Sequence, residues 1–176
     1  MMNTVVSNAR KLTNLAFWRA LQATIVMIVL LTVSFMALLF IPQTQSFAGP
    51  SPVNEVIRLI NQERKKAGMP PLEEDCDMRE AAGLRAHEAA RRFSHTRPNG
   101  NKWSTVFTEY NINAVHRGEN LAYGQKTAKA VVKAWMKSER HRQNILNESF
   151  DRVAVGQYVY NGVHYWSQLF IDSVFR

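Results

Sequence analysis

The sequence contains a single cysteine, Cys76, so no disulfide can form within the chain. Motifs that mark several enzyme classes are also missing. There is no G-x-S-x-G nucleophile elbow, no glycine-rich phosphate loop and no H-E-x-x-H zinc motif. A folded domain in this chain must therefore depend on its hydrophobic core, and none of these motifs assigns it a reaction.

Charge is absent from a long stretch near the N-terminus. Residues 20–41 read ALQATIVMIVLLTVSFMALLFI and contain no charged side chain. As a helix this stretch would be ~33 Å long, enough to cross the hydrocarbon core of a bilayer. Arg10, Lys11 and Arg19 precede it, and the next charged residue is Glu55. This asymmetry predicts a cytoplasmic N-terminus and an extracellular remainder.

Two interpretations of this apolar segment remain open. Ser46-Phe47-Ala48 places small residues at the two positions that a signal peptidase reads, which favours a cleavable signal peptide. The apolar run is longer than the usual signal core of about 7–15 residues, which favours an uncleaved anchor. In both cases the protein is exported, either to the extracellular face of the cytoplasmic membrane or as a secreted protein.

The sequence predicts four regions. Residues 1–19 form a basic cytoplasmic N-terminus and residues 20–41 the anchor or signal-peptide core. Residues 42–52, rich in Pro, Ser and Gln, form a linker, and residues 53–176 form one extracellular domain. Past Ala48 lie all fourteen acidic residues and nineteen of the twenty-two basic residues, a formal charge of +5. This charge suits an anionic wall polymer or lipid ligand. Nucleic acid is not expected, because the basic clusters are short and have no interleaved aromatics.

The domain begins with helical patterns and ends with strand patterns. Helices are predicted near residues 52, 77, 104 and 127. Ser51-Pro52 forms the N-cap and first turn of the first helix, and Asp77 with Glu80 forms a capping box at the start of the second. Residues 152–170, RVAVGQYVYNGVHYWSQLF, predict two antiparallel strands joined at an Asn-Gly turn. Helices first and strands last predict an α+β fold with a small antiparallel sheet.

Four residues are candidates for chemistry: His95, Glu119, Ser138 and His141. Taken singly, each has an ordinary structural explanation, such as capping a helix end or lying as a polar group on the surface. Together with His116, these histidines lie in or beside loops next to helix ends, with Glu119 as the carboxylate among them. A glutamate near two imidazoles can orient a histidine for acid–base chemistry or complete a His/Glu metal site.

The order of several motifs resembles the CAP superfamily in its bacterial branch. The motifs are FSHTRPNG, GENLAYG, AWMKSERHRQNIL, VAVG and YWSQLF, after an opening VIRLINQERKKAGMPPLEEDCDM. This superfamily, also called SCP-like, includes cysteine-rich secretory proteins, antigen five of venoms and pathogenesis-related proteins of plants. The resemblance covers residues 53–172. It implies an α–β–α sandwich, in which a small antiparallel sheet lies between helical layers beside a large cleft.

The resemblance also implies roles for the candidate residues. His95 and Glu119 match a histidine and a glutamate that meet in the family's cleft and can help to hold a divalent metal such as zinc. The family's second glutamate and second histidine are replaced here by Ser138 and Tyr165. The bacterial branch commonly has Ser and His in the helix, here Ser138 and His141. The implied cleft therefore contains His95, Glu119, Ser138 and His141, and the implied metal ligands are His95, Glu119 and His141, with lower affinity than the full set.

Two local expectations follow from this comparison. Gly118 and Asn120 are expected to hold a tight loop that aims Glu119 into the cleft beside His95. Ser138 and His141, which are three positions apart, are expected to be neighbours on one helix.

Two classes of function remain open. The first is an envelope-associated binding module whose cleft holds a lipid, glycan or peptide, with the membrane contacted through the N-terminal segment. The second is a peptidase-like hydrolase in which His95 and Glu119 activate water, with or without a metal.

Overall fold

The computed structural model describes residues 21–22, 24–28 and 51–173. The chain divides into two compact units, Met1–Phe47 and Ala48–Arg176. Within the first unit, the described residues are helical. Across the described ranges, no helix is both long enough and apolar enough to cross a membrane. The anchor or signal core predicted at residues 20–41 and the linker at 42–52 fall largely outside the described residues.

The second unit contains helices on both sides of one sheet. Its elements in chain order are α1 (Pro52–Lys66), β1 (Glu73–Glu74), α2 (Arg79–Arg91), α3 (Thr105–Glu109), β2 (Arg117–Tyr123), α4 (Ala128–Lys137), α5 (Glu139–Ile145), β3 (Arg152–Tyr160) and β4 (Val163–Ile171). The four strands lie in the order β1-β3-β4-β2.

The first helix begins and ends at the predicted signals. The Ser51 hydroxyl accepts a hydrogen bond from the backbone N–H of Asn54 at 3.3 Å, and Pro52 occupies the first helical position. Gly68 follows the helix with φ +76°, a conformation that glycine adopts without strain. The prediction of this helix is confirmed.

The predicted capping box of the second helix is wrong. The helix begins at Arg79, and the Asp75 carboxylate, not Asp77, accepts from the backbone N–H of Met78 at 2.9 Å. Asp75 is in place for this role because its own N–H donates to the carbonyl of Val153 in β3 at 2.9 Å. Pairing with the sheet therefore decides which aspartate caps the turn.

The two C-terminal strands form the predicted hairpin. Asn161 has φ 49° and Gly162 has φ 75°, as the tight turn between β3 and β4 requires. Strand β2 adds to β4 in antiparallel register. The expected sheet was wholly antiparallel, but β1 pairs with β3 in parallel. The Asn61 side chain in α1 forms two hydrogen bonds, of 2.8 and 2.9 Å, with the backbone of Leu72. These bonds direct the chain that follows α1 alongside β3, which explains the parallel pairing.

Apolar clusters cover both faces of the sheet, so the α–β–α sandwich is confirmed. Alternate residues of the strands point to opposite faces. Helices α2 and α3 cover one face, where Phe107 and Leu169 are fully buried. Helices α1, α4 and α5 cover the other face, where Trp135 and Trp166 are buried.

Helix α2 packs directly on strand β3 at Gly156. A Cβ atom on Gly156 would lie 2.2 Å from the carbonyl oxygen of Ala82. The Ser167 hydroxyl of the neighbouring strand donates to the same carbonyl at 2.6 Å. This close approach fixes the position of α2, and of its side chains, over the sheet.

Strand β2 lies at one edge of the sheet, and side chains from two helices bind it there. The indole N–H of Trp135 in α4 donates to the carbonyl of Leu121 at 3.3 Å. The amide of Asn144 in α5 donates to the carbonyl of Glu119 at 3.2 Å. Helices α4 and α5 are thus tied to the backbone of this strand.

Candidate functional site

The Gly118-Glu119-Asn120 segment is a strand and not the tight loop that was expected. It lies within β2 and pairs with residues 168–170 of β4. Gly118 is required by packing, because a Cβ atom there would lie 2.8 Å from the ring of Phe150. Alternation along the strand directs Glu119 towards α2 and Asn120 towards the opposite face, where α5 lies.

Glu119 is buried and paired with Arg85 of α2. Arg85 donates from Nε to Oε2 at 2.7 Å and from Nη2 to Oε1 at 3.3 Å. The Arg85 side chain is 0% exposed and the Glu119 side chain 1%. Burial acts to lower the pKa of Arg85, but the carboxylates of Glu119 and Glu88 outweigh it and hold the pKa above its usual value. Arg85 therefore stays charged at the centre of this pairing.

The pairing continues away from the sheet as a row of alternating charges. Glu88 accepts from Arg85 at 2.5 Å and from Arg97 at 2.8 Å, and Arg97 also forms an ion pair with Glu109 at 2.8 Å. Burial tends to raise the pKa of Glu88, but the two arginines more than offset it and hold the pKa below its usual value. We call Glu119, Arg85, Glu88 and Arg97 the buried ion network, which Glu109, with a side chain 51% exposed, ends at the surface.

Sequence reasoning missed the arginines of this network. The signal was present in α2, where Arg85 and Glu88 alternate with alanines on the buried face of the helix, Ala81, Ala82, Ala86 and Ala89. Such small residues let a helix approach a sheet closely, and a charged pair among them must then be buried. A buried pair of this kind needs further partners, which the sheet and the following loop supply.

His95 meets Glu119 as the resemblance implied. Its Nδ1 lies 2.7 Å from Oε1 of Glu119, and its side chain is 57% exposed. Because both oxygens of Glu119 accept from Arg85, the carboxylate is the acceptor here as well, so Nδ1 of His95 carries the proton and Nε2 remains for a ligand. The carboxylate itself, in contrast to the expectation, is not open to solvent.

His141 lies near His95, on the first turns of α5. The pKa of His141 lies below the ordinary value of 6.5, because burial disfavours the charged ring and because the charge of His95 repels it. The backbone at His141 is held by Asn120, whose amide donates to the His141 carbonyl at 3.1 Å and to Gln168 at 3.0 Å. The side-chain amide of Asn144 donates in turn to the side-chain oxygen Oδ1 of Asn120 at 2.8 Å.

This histidine predicts a pH dependence of stability. Since the folded pKa lies below 6.5, an unfolded chain binds the proton more readily than the folded chain. The stability contributed by a neutral His141 is therefore present above pH 6.5 and is lost as the pH falls through the folded pKa. We expect the melting temperature of full-length His141→Gln to fall less steeply than that of the parent chain as the pH decreases below 6.5.

The control for this measurement is His95→Gln, which removes only the smaller, electrostatic cause. It should leave most of the pH dependence in place. Equal slopes for the parent chain and His141→Gln would show that this imidazole does not govern acid stability.

Ser138 and His141 were expected to be neighbours on one helix, but the helix is broken at Ser138. This residue has φ −87° and ψ 120°, an extended conformation that separates α4 from α5. The backbone carbonyl of Ser138 accepts the first hydrogen bond of α5, from the N–H of Arg142 at 2.9 Å. In residues 51–173 no hydrogen bond joins the Ser138 hydroxyl to His141.

The other residues considered from sequence lie elsewhere. His116 directly precedes β2 and pairs with Asp172 at 2.8 Å. Tyr165, at the position of the family's second histidine, stacks on Tyr123 with ring centroids 6.0 Å apart, and Phe93 contacts the same Tyr123 edge-on at 4.6 Å. Tyr123 thus contacts both of the other rings, and Tyr165 belongs to an aromatic cluster.

Residues 57–170 match the CAP family, described as the cysteine-rich secretory protein family. The chain belongs to the CAP family. The uncharacterized protein YkwD of Bacillus subtilis (strain 168) is 39% identical over 121 residues, which are 68% of this chain and 46% of YkwD.

Solved structures show the same CAP fold. An extracellular protein containing a SCP domain, from Bacillus anthracis str. Ames, matches with a TM-score of 0.64 and 27% identity over 69% of this chain and 40% of that chain. An outer surface protein from Borrelia burgdorferi matches with a TM-score of 0.62 and 22% identity over 68% of this chain and 90% of that chain. This CAP chain therefore spans less than half the length of YkwD and of the Bacillus anthracis protein.

Some structures of the CAP fold contain a metal. One is manganese-bound and another has Zn²⁺, at a TM-score of 0.50 and at 12% and 14% identity respectively. In this CAP chain both oxygens of Glu119 are engaged, by Arg85 and by His95. Within the ranges that the structure describes, no group of three or more His, Cys, Asp or Glu side chains is arranged to hold a metal ion. The predicted set of His95, Glu119 and His141 does not fit a metal in this arrangement.

Proposed function

We propose that the protein is an exported binding module of the cell envelope, and that His95 contacts the ligand. The observation that carries this proposal is an exposed imidazole held at Nδ1 by a carboxylate that is itself buried and paired with Arg85. An imidazole held in this way loses little conformational freedom when a ligand binds Nε2. The ligand class is an envelope lipid, glycan or peptide.

Export is supported by two observations. The apolar segment at residues 20–41 with basic residues before it is typical of a signal peptide or an anchor. The related Bacillus anthracis protein is described as extracellular. We infer that the domain lies on the extracellular face of the cytoplasmic membrane or is secreted.

The test is binding of the full-length chain to separated wall and membrane fractions, before and after His95→Ala. Because the His95 side chain is more than half exposed, we expect this variant to keep its melting temperature within a few degrees. We expect at least a tenfold loss of affinity, about 1.4 kcal/mol, because the one imidazole nitrogen available to a ligand is gone.

The matched control is His116→Ala, which removes another exposed histidine that also pairs with a carboxylate. It should bind like the parent chain. Equal affinities for all three proteins would rule out His95 as a ligand contact, whereas a loss in both variants would point to a nonspecific effect of histidine charge.

A hydrolase remains the second candidate, and one observation favours it. A carboxylate that accepts from Nδ1 of a histidine leaves Nε2 aimed to take a proton from water, as a general base must. In this role Glu119 would position His95 and stay paired with Arg85. Incubation of the full-length chain with a defined peptide mixture would show new fragments by mass spectrometry, and His95→Ala would not. The absence of fragments from the parent chain would exclude peptide hydrolysis.

A further inference from the structure

A groove separates α1 from α4 on the side of the domain that carries neither His95 nor Glu119. Its volume is about 730 Å³. Leu59 of α1 and Val132 and Met136 of α4 line it as partly or fully buried apolar residues that belong to the core beneath. The groove is therefore an open channel with an apolar floor and walls formed by two helices.

The two walls differ in charge. On α1, the acidic residues of the groove are paired within their own helix: Glu55 with Arg58 at 2.6 Å and Glu63 with Lys66 at 2.7 Å. The α1 wall therefore has no net charge. Among the described residues, these two carboxylates are the only acidic side chains that line the groove.

The α4 wall carries three lysines and no acid. Lys129, Lys133 and Lys137 all line the groove, and the helix sequence AKAVVKAWMK contains no carboxylate. Among residues 51–173, none of the three forms an ion pair. They lie four residues apart, so successive ammonium groups are ~6 Å apart along the helix axis. Like charges at this spacing repel and weaken the helix by a few tenths of a kcal/mol per pair. An anion along the groove would remove that repulsion.

The chemistry of the groove favours a linear polyanion over a membrane surface. Docking on a bilayer uses apolar side chains that project into the lipid. Here the apolar residues are recessed, and within residues 51–173 the exposed large apolar residues lie elsewhere: Phe93, Val115, Tyr123, Val159 and Tyr160. None of the described residues that line the groove is an aromatic that could stack on a base, so a nucleic acid is not favoured. A flexible chain of phosphodiesters fits both the channel and the row of point charges.

We propose that this groove binds a linear polymer of small polyols joined by phosphodiesters, through Lys129, Lys133 and Lys137. Each lysine contacts one phosphate, and the polymer backbone lies along the channel between α1 and α4. This site is separate from the one proposed at His95 and does not depend on it. It would hold the domain against an anionic polymer while the His95 site stays free.

The test uses the full-length chain in an uncharged detergent and fluorescently labelled poly(glycerol phosphate), with binding followed by anisotropy over a range of salt concentrations. The variant is K129Q/K133Q/K137Q. Glutamine keeps the helix propensity of lysine, so the fold is retained, which an unchanged melting temperature would verify. We expect at least a tenfold loss of affinity. The slope of log affinity against log salt should fall in magnitude by about two, since a flexible polyanion releases about 0.7 counterion per neutralised phosphate.

The matched control is K65Q/R92Q/K102Q, which removes the same charge from exposed positions outside the groove. It should bind within a factor of about three of the parent chain. His95→Ala should bind the polymer normally, which separates this proposal from the function proposed above. An equal loss in both triple variants would show attraction by net charge alone and overturn the site. So would binding to phosphatidylglycerol vesicles that K129Q/K133Q/K137Q weakens and that the polymer does not displace, because the groove face itself, and not the N-terminal segment, would then be a membrane contact.

Discussion

Arg85→Ala should lower the free energy of unfolding by about 3–5 kcal/mol, because it leaves the buried Glu119 carboxylate without its arginine and leaves Glu88 with Arg97 alone. Arg85 makes paired hydrogen bonds to Glu119 and also binds Glu88 and the Ser94 carbonyl at 3.0 Å. The Glu119 side chain is almost wholly out of water, so solvent cannot replace the lost partner. We expect the effect in urea unfolding of the full-length chain, followed by circular dichroism.

The comparison that isolates this effect is Arg58→Ala. Arg58 also forms a paired ion bond with a glutamate, Glu55, but its side chain is 53% exposed. Exposed pairs contribute about 0–1 kcal/mol. If both substitutions had the same small effect, the buried ion network would not hold α2 to the sheet. A double variant, Arg85→Met with Glu119→Gln, should recover part of the loss, because it removes both charges of the pair.

Gly156→Ala should be the second severe change, at about 3 kcal/mol or more, the upper end of what overpacking costs. The added methyl group would lie 2.2 Å from the Ala82 carbonyl oxygen and 2.6 Å from the backbone nitrogen of Gly83. These are backbone atoms of α2, so no rotamer change can relieve the clash and the helix must move away from β3. Since α2 also carries Arg85, the movement would loosen the pairing with Glu119.

Gly83→Ala is a matched control that should increase the stability instead of lowering it. The same methyl group added to α2, one residue after Ala82, would meet no heavy atom within 4 Å. Alanine inside a helix is more stable than glycine by roughly 0.5–1 kcal/mol. Thermal unfolding of the two variants should therefore shift in opposite directions. A Gly156→Ala protein as stable as its parent would mean that α2 can retreat from the sheet freely.

The parts of the fold that could be predicted from sequence are those decided by neighbours in the chain. The Asn161-Gly162 turn and the Ser51-Pro52 helix start were predicted correctly because their signals are local. Strand β2 was not predicted, since GENLAY contains Gly, Asn and Glu, which are poor strand formers. It is a strand because it pairs with β4, more than forty residues later in the chain.

The residues of the site also divide into those that could be predicted from sequence and those that are decided by tertiary packing. The meeting of His95 with Glu119 was anticipated from the family resemblance, whereas Arg85 was not, because burial of one face of α2 is decided by packing on the sheet. The break at Ser138 was also missed. Nothing in AWMKSERHRQ stops a helix by propensity, and the chain turns there because α5 must place Asn144 against β2.

The side chains bound along β2 bear on how the protein behaves at high concentration. An open sheet edge is a template on which a second molecule can add a strand, and from which aggregates grow. Here the Trp135 indole and the Asn144 amide already take the carbonyls of Leu121 and Glu119. An incoming strand would have to displace these two side chains before it could pair with β2, so this edge is shielded from the strand addition by which fibrils grow.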